Sequence, residues 1–346
     1  MERVPSQSST ANQAIAMLEQ LQSRFVKKLG DVCTSLDKDG KFERVEWFRD
    51  EGQHGGGVRY VAPSKSLFNR GSVNISQVQY DDQAEKKLAS ANALSTIIHP
   101  GNPHSPSVHM HISWTEMKDG KGYWRVMADL NPSINNDSYK NQFDKALEDA
   151  SKSLYKKGKE QGEKYFYIPA LKRHRGVSHF YLEAYHSDDP KNDFHFAQSF
   201  GEAMIDCYVD ILSQASLNRK EVSESDLQAQ LDYHSLYFYQ VLTLDRGTSS
   251  GLLVHKQNDV GTLGSLPSHV NRKLLQDWQK LTQEPQNKLL ASLVATLPEE
   301  SPSPVENETK AALAEAIRVH YQQHPEALAM QARGDIIPPT VANHKD

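Results

Sequence analysis

The chain has 346 residues, with 39 Lys and Arg against 44 Asp and Glu, and a formal net charge of −5 at pH 7. That length can bury a large core, as one big domain or two ordinary ones, and that charge gives no general reason to expect nucleic-acid binding. Two cysteines, Cys33 and Cys207, argue against a disulfide framework; residues 1–30 lack the pattern of a signal peptide, no apolar run approaches the roughly 18 residues of a membrane span, and a cytoplasmic protein is expected.

Residues 10–29 carry Ile15, Leu18, Leu21, Phe25 and Leu29 at helical spacing, with Gly30 suited to the C-cap. Between 58 and 131 the period changes to two. The alternation predicts strands at 58–62, 73–80, 107–115 and 123–130, the last two joined by MKDGKG as a hairpin loop. A highly charged helix is expected over 138–163, strands at 165–168 and 178–185, and a long helix over 192–214 with Phe196, Phe200, Met204, Cys207 and Ile211 on one side. A further strand, 234–243, is read as leading into LDRGTSSG. Beyond about 269 the chain reads as helices broken at Pro285, Pro298 and the SPSP of 301–304, and the tail after 331 is expected to lack structure. Strands adjacent in sequence, with helices before, between and after them, give an α+β class with a mainly antiparallel sheet.

In SVHMHISWT (107–115), Val108, Met110, Ile112 and Trp114 point one way while His109, His111, Ser113 and Thr115 point the other. In YWRVMADL the same alternation puts Tyr123, Arg125, Met127 and Asp129 on one face. Paired as a hairpin, the two segments bring His109, His111 and Asp129 to the polar face of one sheet, either as the floor of a cleft or as a face that meets solvent. A metal reading draws on His99, His109 and His111, whose imidazoles suit Zn, Fe, Ni or Cu. A histidine-rich chain, with 15 in all, also clusters them by chance.

Several further segments stand in order along the chain: RDEGQHGGGVRYV (49–61), GSVNISQV (71–78), IIHPGNPHSPSVH (97–109), ADLNP (128–132), KYFYIPALKRHRGVSHFYLEAY (164–185) and YFYQVLTLDRGTSSGLL (237–253). Over about 42–268 their order and spacing resemble oxygen-dependent coproporphyrinogen III oxidase. The resemblance implies a large, flat, mainly antiparallel sheet covered by helices on both faces, a homodimer, and a cleft for a porphyrinogen. It implies conversion of propionate side chains to vinyl groups in haem biosynthesis, with O2 as co-substrate, CO2 released and no organic cofactor. On the matching positions, His109 is the expected proton-transfer residue and Asp245 the partner of the pyrrole N–H groups. Arg246 is placed with them as catalytic, and Asn74, Ser76, His111, Asp129 and Arg175 are placed at the substrate. His99 stands where a metal-contacting histidine is described in some members. The implied organisation is an N-terminal helix region (1–41), the oxidase-like domain (42–268), a helical region (269–330) and the tail (331–346).

The departures are equally specific. The family's N-x-R after the histidine is His111 and Ser113, and its histidine–arginine pair after Y-F-Y is Ala170 and Leu171. Its two glycines after R-G are Ser178 and His179, its F-D-D is Leu182, Glu183 and Ala184, and its G-G-G before D-L-T-P is Arg125, Val126 and Met127. Losing an arginine from a bidentate carboxylate contact costs about 1.5–3 kcal/mol, so a tetracarboxylate substrate needs replacements; Arg125, Lys172, Arg173 and Lys256 are the available cations. The sequence supports three readings: an oxidative decarboxylase of the family type; a repurposed member acting on another pyrrole, indole or carboxylate substrate, with a metal at His99, His109 and His111; and a non-catalytic tetrapyrrole-binding paralogue.

Overall fold

The computed structural model describes residues 1–63, 67–218, 221–254 and 256–337. It opens with helix α1 (Ser9–Ser35), started by the Ser8 side chain, which accepts from the Ala11 N–H. Strands β1 (Glu43–Phe48), β2 (Gly55–Val61), β3 (Phe68–Gln79), β4 (Leu88–Pro100), β5 (Ser107–Met117) and β6 (Gly122–Asn131) come after it. Next are α2 (Asp137–Ser151), α3 (Tyr155–Phe166), a short ladder of β7 (Tyr167–Ile168) with β8 (Arg173–His174), and β9 (Ser178–Tyr185). Among the described residues, β1–β6 and β9 form a seven-stranded sheet in the order β1-β2-β3-β4-β5-β6-β9, with every neighbouring pair antiparallel. The class is α+β, as the sequence predicts.

Strand alternation divides this sheet into two unlike faces. Val73 and Ile75 of β3, Leu94 and Ile98 of β4, Val108, Met110 and Ile112 of β5, and Val126, Ala128 and Leu130 of β6 are buried against α1 and α4 (Pro190–Leu217). The opposite face is polar, and the register aligns it in rows. One row runs Ser72–Ile97–His109–Asp129–His179 across β3, β4, β5, β6 and β9. The next runs Arg59–Asn74–Ser95–His111–Met127–Tyr181 from β2 to β9.

Across that polar face lie α5 (Glu224–Thr243), α6 (Arg246–Val254) and α7 (Asp259–Thr262). Helices α5 and α6 belong to a second apolar cluster with α8 (Arg272–Gln279), α9 (Gln286–Thr296) and α10 (Asn307–Gln323), which Leu263 after α7 and Ile97 of the sheet join. The two-residue strands β10 (His269–Val270) and β11 (Ser303–Pro304) pair beside it. No helix among the described residues is long and apolar enough to cross a membrane.

Segment 234–243, expected as a strand, is helical. Ser223 and Asp226 form a reciprocal capping box that starts α5, and every residue from Tyr233 to Thr243 is buried. A helix buried on all sides shows no apolar stripe, so its aromatic and β-branched residues imitate the period of a strand. The helix expected over 138–163 is two helices, separated at Lys152, whose φ is 50°. Residues 165 and 166 close α3, leaving only 167–168 extended. Strands β1 and β4 were not foreseen. The tail expected to lack structure from 331 is packed at its start: the Ala332 N–H donates to the Leu244 carbonyl and Gln161 Nε2 donates to Asp335. Residues 338–346 lie outside the described residues.

Helix α3 approaches β9 through two glycines one turn apart. A Cβ at Gly162 would stand 2.8 Å from the backbone carbon of His179, and one at Gly158 would stand 2.1 Å from the Phe180 ring. Backbone cannot step aside cheaply, so Gly162→Val is expected to lower stability by about 1–3 kcal/mol. Urea unfolding checks this, and an unchanged midpoint would show that the α3–β9 contact is looser than described.

Candidate active site

A cleft opens between the polar rows of the sheet and helices α5–α7. Its floor includes Asn74, Ser76, Ser95, His109, His111 and Ser113, and its opposite wall includes Tyr237, Asp245, Asn258 and Gly261. The strand period delivers the floor, since odd-numbered positions of β4, β5 and β6 share one face, and the α5–α6 junction delivers Asp245.

His109 is fixed from behind. Its Nδ1–H donates to Asp129 Oδ1 at 2.8 Å, while Arg175 Nη2 donates to Asp129 Oδ2 at 2.6 Å. Asn131 Nδ2 also donates to Asp129 Oδ2, at 2.7 Å. Asp129 and Arg175 have side-chain exposures of 0% and 1%, so the pair is removed from water. Burial pushes the Asp129 carboxyl up, but the Arg175 guanidinium and His109 together outweigh it and hold the carboxyl below its ordinary value. With Nδ1–H committed to Asp129, the ring presents Nε2 to the cleft. Neither Asp129 nor Arg175 reaches the cleft surface. The guanidinium is held between Phe166 and Tyr237, 4.9 and 5.0 Å from the ring centroids.

His111 is held differently. The Ser95 hydroxyl lies 2.8 Å from Nδ1 and the Ser113 hydroxyl 3.0 Å from Nε2. Burial, reinforced by the charges of Arg125 and His109, keeps this imidazole well below its ordinary value and therefore neutral at pH 7. Asn74 presents a shielded Oδ1 to which no described group donates. Asp245 caps α6, accepting from the Thr248 N–H at 2.7 Å, and its other oxygen accepts from the Tyr165 hydroxyl at 2.7 Å. A carboxylate has about four acceptor sites, so both oxygens retain capacity for a ligand donor.

Other expected residues lie elsewhere. Arg246 is buried with Nη2 donating to the Leu328 carbonyl at 3.3 Å, outside the cleft lining. Lys172, Arg173 and Lys256 are exposed and outside it as well. Arg125 does face the cleft, but its Nε and Nη2 donate to Glu183 at 2.6 and 3.1 Å. A register shift in the β6–β9 ladder, with Ala184 at φ 51°, turns Glu183 toward that arginine. Tyr165, Ser95 and Trp47 line the cleft without having been foreseen. Ser95 and Trp47 belong to the two missed strands, where small-residue alternation (LASANALS) was the available signal.

The three histidines of the metal reading are not gathered. His99 is buried with Nδ1 at 3.0 Å from the Ser107 hydroxyl and its ring edge-on to Tyr237, while His109 and His111 have the partners given above. Among the described residues no three His, Cys, Asp or Glu side chains form a group able to hold a metal ion.

The fold and this floor define an α+β protein whose antiparallel sheet carries a histidine, braced by a buried carboxylate and guanidinium, in an otherwise polar cleft. The sequence model of the coproporphyrinogen III oxidase family matches residues 13–296, and the chain belongs to that family. It is 26% identical over 309 residues to the oxygen-dependent mitochondrial enzyme of Rattus norvegicus, covering 81% of this chain and 68% of the relative. It is 25% identical over 296 residues to that of Drosophila melanogaster, covering 78% and 75%. With the enzyme of Rickettsia bellii (strain RML369-C) the identity is 29% over 271 residues, covering 74% and 91%.

Four histidines are buried in neutral form: His99 and His111 well below their ordinary value, His234 at about 3 and His320 at about 4, burial being the leading cause in each. Their unfolded forms take up protons below about pH 6.5. The stability they contribute is therefore present above that pH and is lost as pH falls toward the folded values, with a slope of up to about 1.4 kcal/mol per pH unit for each. Urea midpoints are expected to fall steadily from pH 7 to pH 4.5, and His234→Phe to flatten the curve. An equally steep curve in that variant would exclude His234 from the effect.

Proposed function

We propose that the cleft performs an O2-dependent oxidative decarboxylation on a pyrrolic, porphyrinogen-type substrate. In that reaction the C–COO⁻ bond of a propionate breaks to release CO2, the ring-attached carbon loses a hydrogen with its bonding electrons as the C=C bond forms, and O2 takes up those two electrons with protons to give H2O2. The observation that carries the reading is His109, aimed into the cleft and locked into one tautomer by the buried Asp129–Arg175 pair. A histidine so held is suited to moving a proton at Nε2. Asp245 and the unpartnered Asn74 Oδ1 supply acceptors for pyrrole N–H groups. Family membership and the names of the relatives support the same chemistry. The homodimer, the cytoplasmic location and a helical layer over the whole second face of the sheet belong to the same proposal.

A second reading, a changed substrate, is favoured by one arrangement. Arg125, standing where the family has glycine, is neutralised by Glu183, so the cation nearest the reacting histidine on the cleft surface is already paired. This pairing leaves less cationic charge for a tetracarboxylate at that end of the cleft.

Coproporphyrinogen III prepared without oxygen and then mixed with O2 tests the first reading, with vinyl products and O2 uptake scored. Turnover is expected, and His109→Ala should lower kcat by about 10²–10⁴-fold with the fold retained. Asp129→Asn should also lower kcat, by releasing the tautomer. Asp245→Asn is the cleaner probe at that position, because Asp245→Ala also removes the α6 cap, worth about 1 kcal/mol. Wild-type turnover in His109→Ala would sink the assignment. Tight coproporphyrin binding without turnover would identify a non-catalytic paralogue.

A further inference from the structure

His179 stands on β9 where the family pattern has glycine, in the row that also holds His109 and Asp129. It is 3% exposed, and its ring is gripped at both nitrogens. Nδ1 lies 2.9 Å from Glu163 Oε1 on α3, and Nε2 lies 2.7 Å from the Arg175 carbonyl. A carbonyl oxygen only accepts, and so does an ionised carboxylate; the Glu163 carboxyl is held below its ordinary value, first by its hydrogen bond from His179. Each ring nitrogen must therefore donate, and the ring carries two protons when both bonds are made. The other charged and titratable groups around it are Lys159 of α3, Asp129 of β6, Arg175, and His174 of β8, whose Nε2 lies 3.0 Å from the second Glu163 oxygen. Phe166 stacks on the His179 ring with centroids 5.2 Å apart.

The bond to the carbonyl completes the pinning of Arg175. The Arg175 N–H donates to the Phe166 carbonyl at 3.0 Å and its carbonyl accepts from His179, so the backbone is held on both sides of Cα. Gly176 follows at φ 82°, and a Cβ there would stand 2.7 Å from Asn131 Oδ1 and 3.1 Å from His179 Nε2. From that backbone the guanidinium reaches Asp129 Oδ2 at 2.6 Å. A glycine at position 179 could make neither side-chain bond, so the bridge belongs to this chain.

We infer that His179 is a positioning residue for the cleft: by bridging Glu163 to the Arg175 carbonyl it keeps the Arg175 guanidinium on Asp129, and so sets the charge that His109 meets. The inference rests on the reading of His109 as the proton-handling group and deepens it. The sign of the coupling follows from the charges. With Arg175 in place, the negative charge of Asp129 is offset before His109 meets it. With Arg175 displaced, Asp129 favours a second proton on His109, and Nε2 is no longer free to accept one.

Nitrogen-15 NMR of the histidine rings in the full chain, followed across the neutral pH range, reads both groups without substrate; His109→Ala and His179→Phe assign their signals. In the wild type, His179 is expected to carry protons on both nitrogens at about pH 6. His179→Phe keeps a flat ring on Phe166 but donates nothing, and is expected to raise the His109 titration midpoint by about one pH unit. His179→Gln, whose amide nitrogen can take the place of Nε2, is expected to restore the wild-type midpoint. His179→Asn, whose amide takes the place of Nδ1 and stops short of the carbonyl, is expected to behave like His179→Phe; if the Phe variant fails to fold, Asn against Gln makes the same comparison. An unchanged His109 midpoint in the Phe and Asn variants overturns the inference. So does an equal rise in Gln and Asn, because the loss of the His179 charge then explains it without the carbonyl bond. A singly protonated His179 at about pH 6 removes the bridge and the inference with it. Failure of the wild type to turn over coproporphyrinogen counts against the decarboxylation reading alone, since no substrate enters this measurement.

Discussion

A carboxylate removed from water organises this molecule. Asp129 sits on β6, beside the edge strand β9, on the sheet's polar face, and taking it out of solvent is tolerable only because Arg175 and His109 meet its two oxygens. Arg175 arrives on the turn between β8 and β9, and its N–H donates to the Phe166 carbonyl. Its guanidinium is clasped between Phe166 at the end of α3 and Tyr237 in α5. One ion pair thus ties β5 and β6 to two helices beside the cleft. The close approach of α3 to β9 serves the same end, since it brings Phe166 against Arg175 and Tyr165 to the cleft. Removing either charge would leave the other stranded, at a cost of about 3–5 kcal/mol.

The positions that depart from the family pattern satisfy one another. Arg125 and Glu183 form a two-pronged pair, and the Tyr181 hydroxyl donates to the same Glu183. Met127 packs with Tyr165, Phe166 and Tyr181. His179, in place of a glycine, is held between Glu163 and the Arg175 carbonyl at 2.9 and 2.7 Å. His111 and Ser113 replace the family's N-x-R as hydrogen-bonded neighbours. Substitutions accumulating without constraint on this sheet would leave buried polar groups without partners. Here the large new groups found complementary ones, while the small Ser178 keeps a buried hydroxyl with no partner among the described residues.

Legibility in the sequence followed the physics of each segment. Strands β3, β5, β6 and β9 have one oily and one polar face, so alternation exposed both their class and the face that holds His109, His111 and Asp129. Strand β4 alternates alanine with serine and asparagine, a contrast too slight for hydrophobic periodicity to register. Helix α5 failed in the opposite sense, because uniform burial erased the stripe that would have announced it. The motif resemblance located Asp129, Arg175 and Asp245, but residue type alone could not separate a group that touches the cleft from one that braces it. Arg246 shows that limit: next to Asp245 in sequence, it turns away to the Leu328 carbonyl.

The family match ends at residue 296, yet the chain beyond that point also shapes the cleft. Arg318 of α10 donates to both oxygens of Asp259 at 2.9 and 2.5 Å and to the Leu252 carbonyl at 3.2 Å. Those bonds fix α6 and α7, and with them Asn258 and Gly261 of the cleft wall. That wall is therefore braced from behind by a helix beyond the family match. The His109 end, by contrast, is held by the Asp129 pair. The two ends draw their rigidity from separate contacts, one from an ion pair on the sheet, the other from a helix packed behind the far wall, so a change at one need not displace side chains at the other.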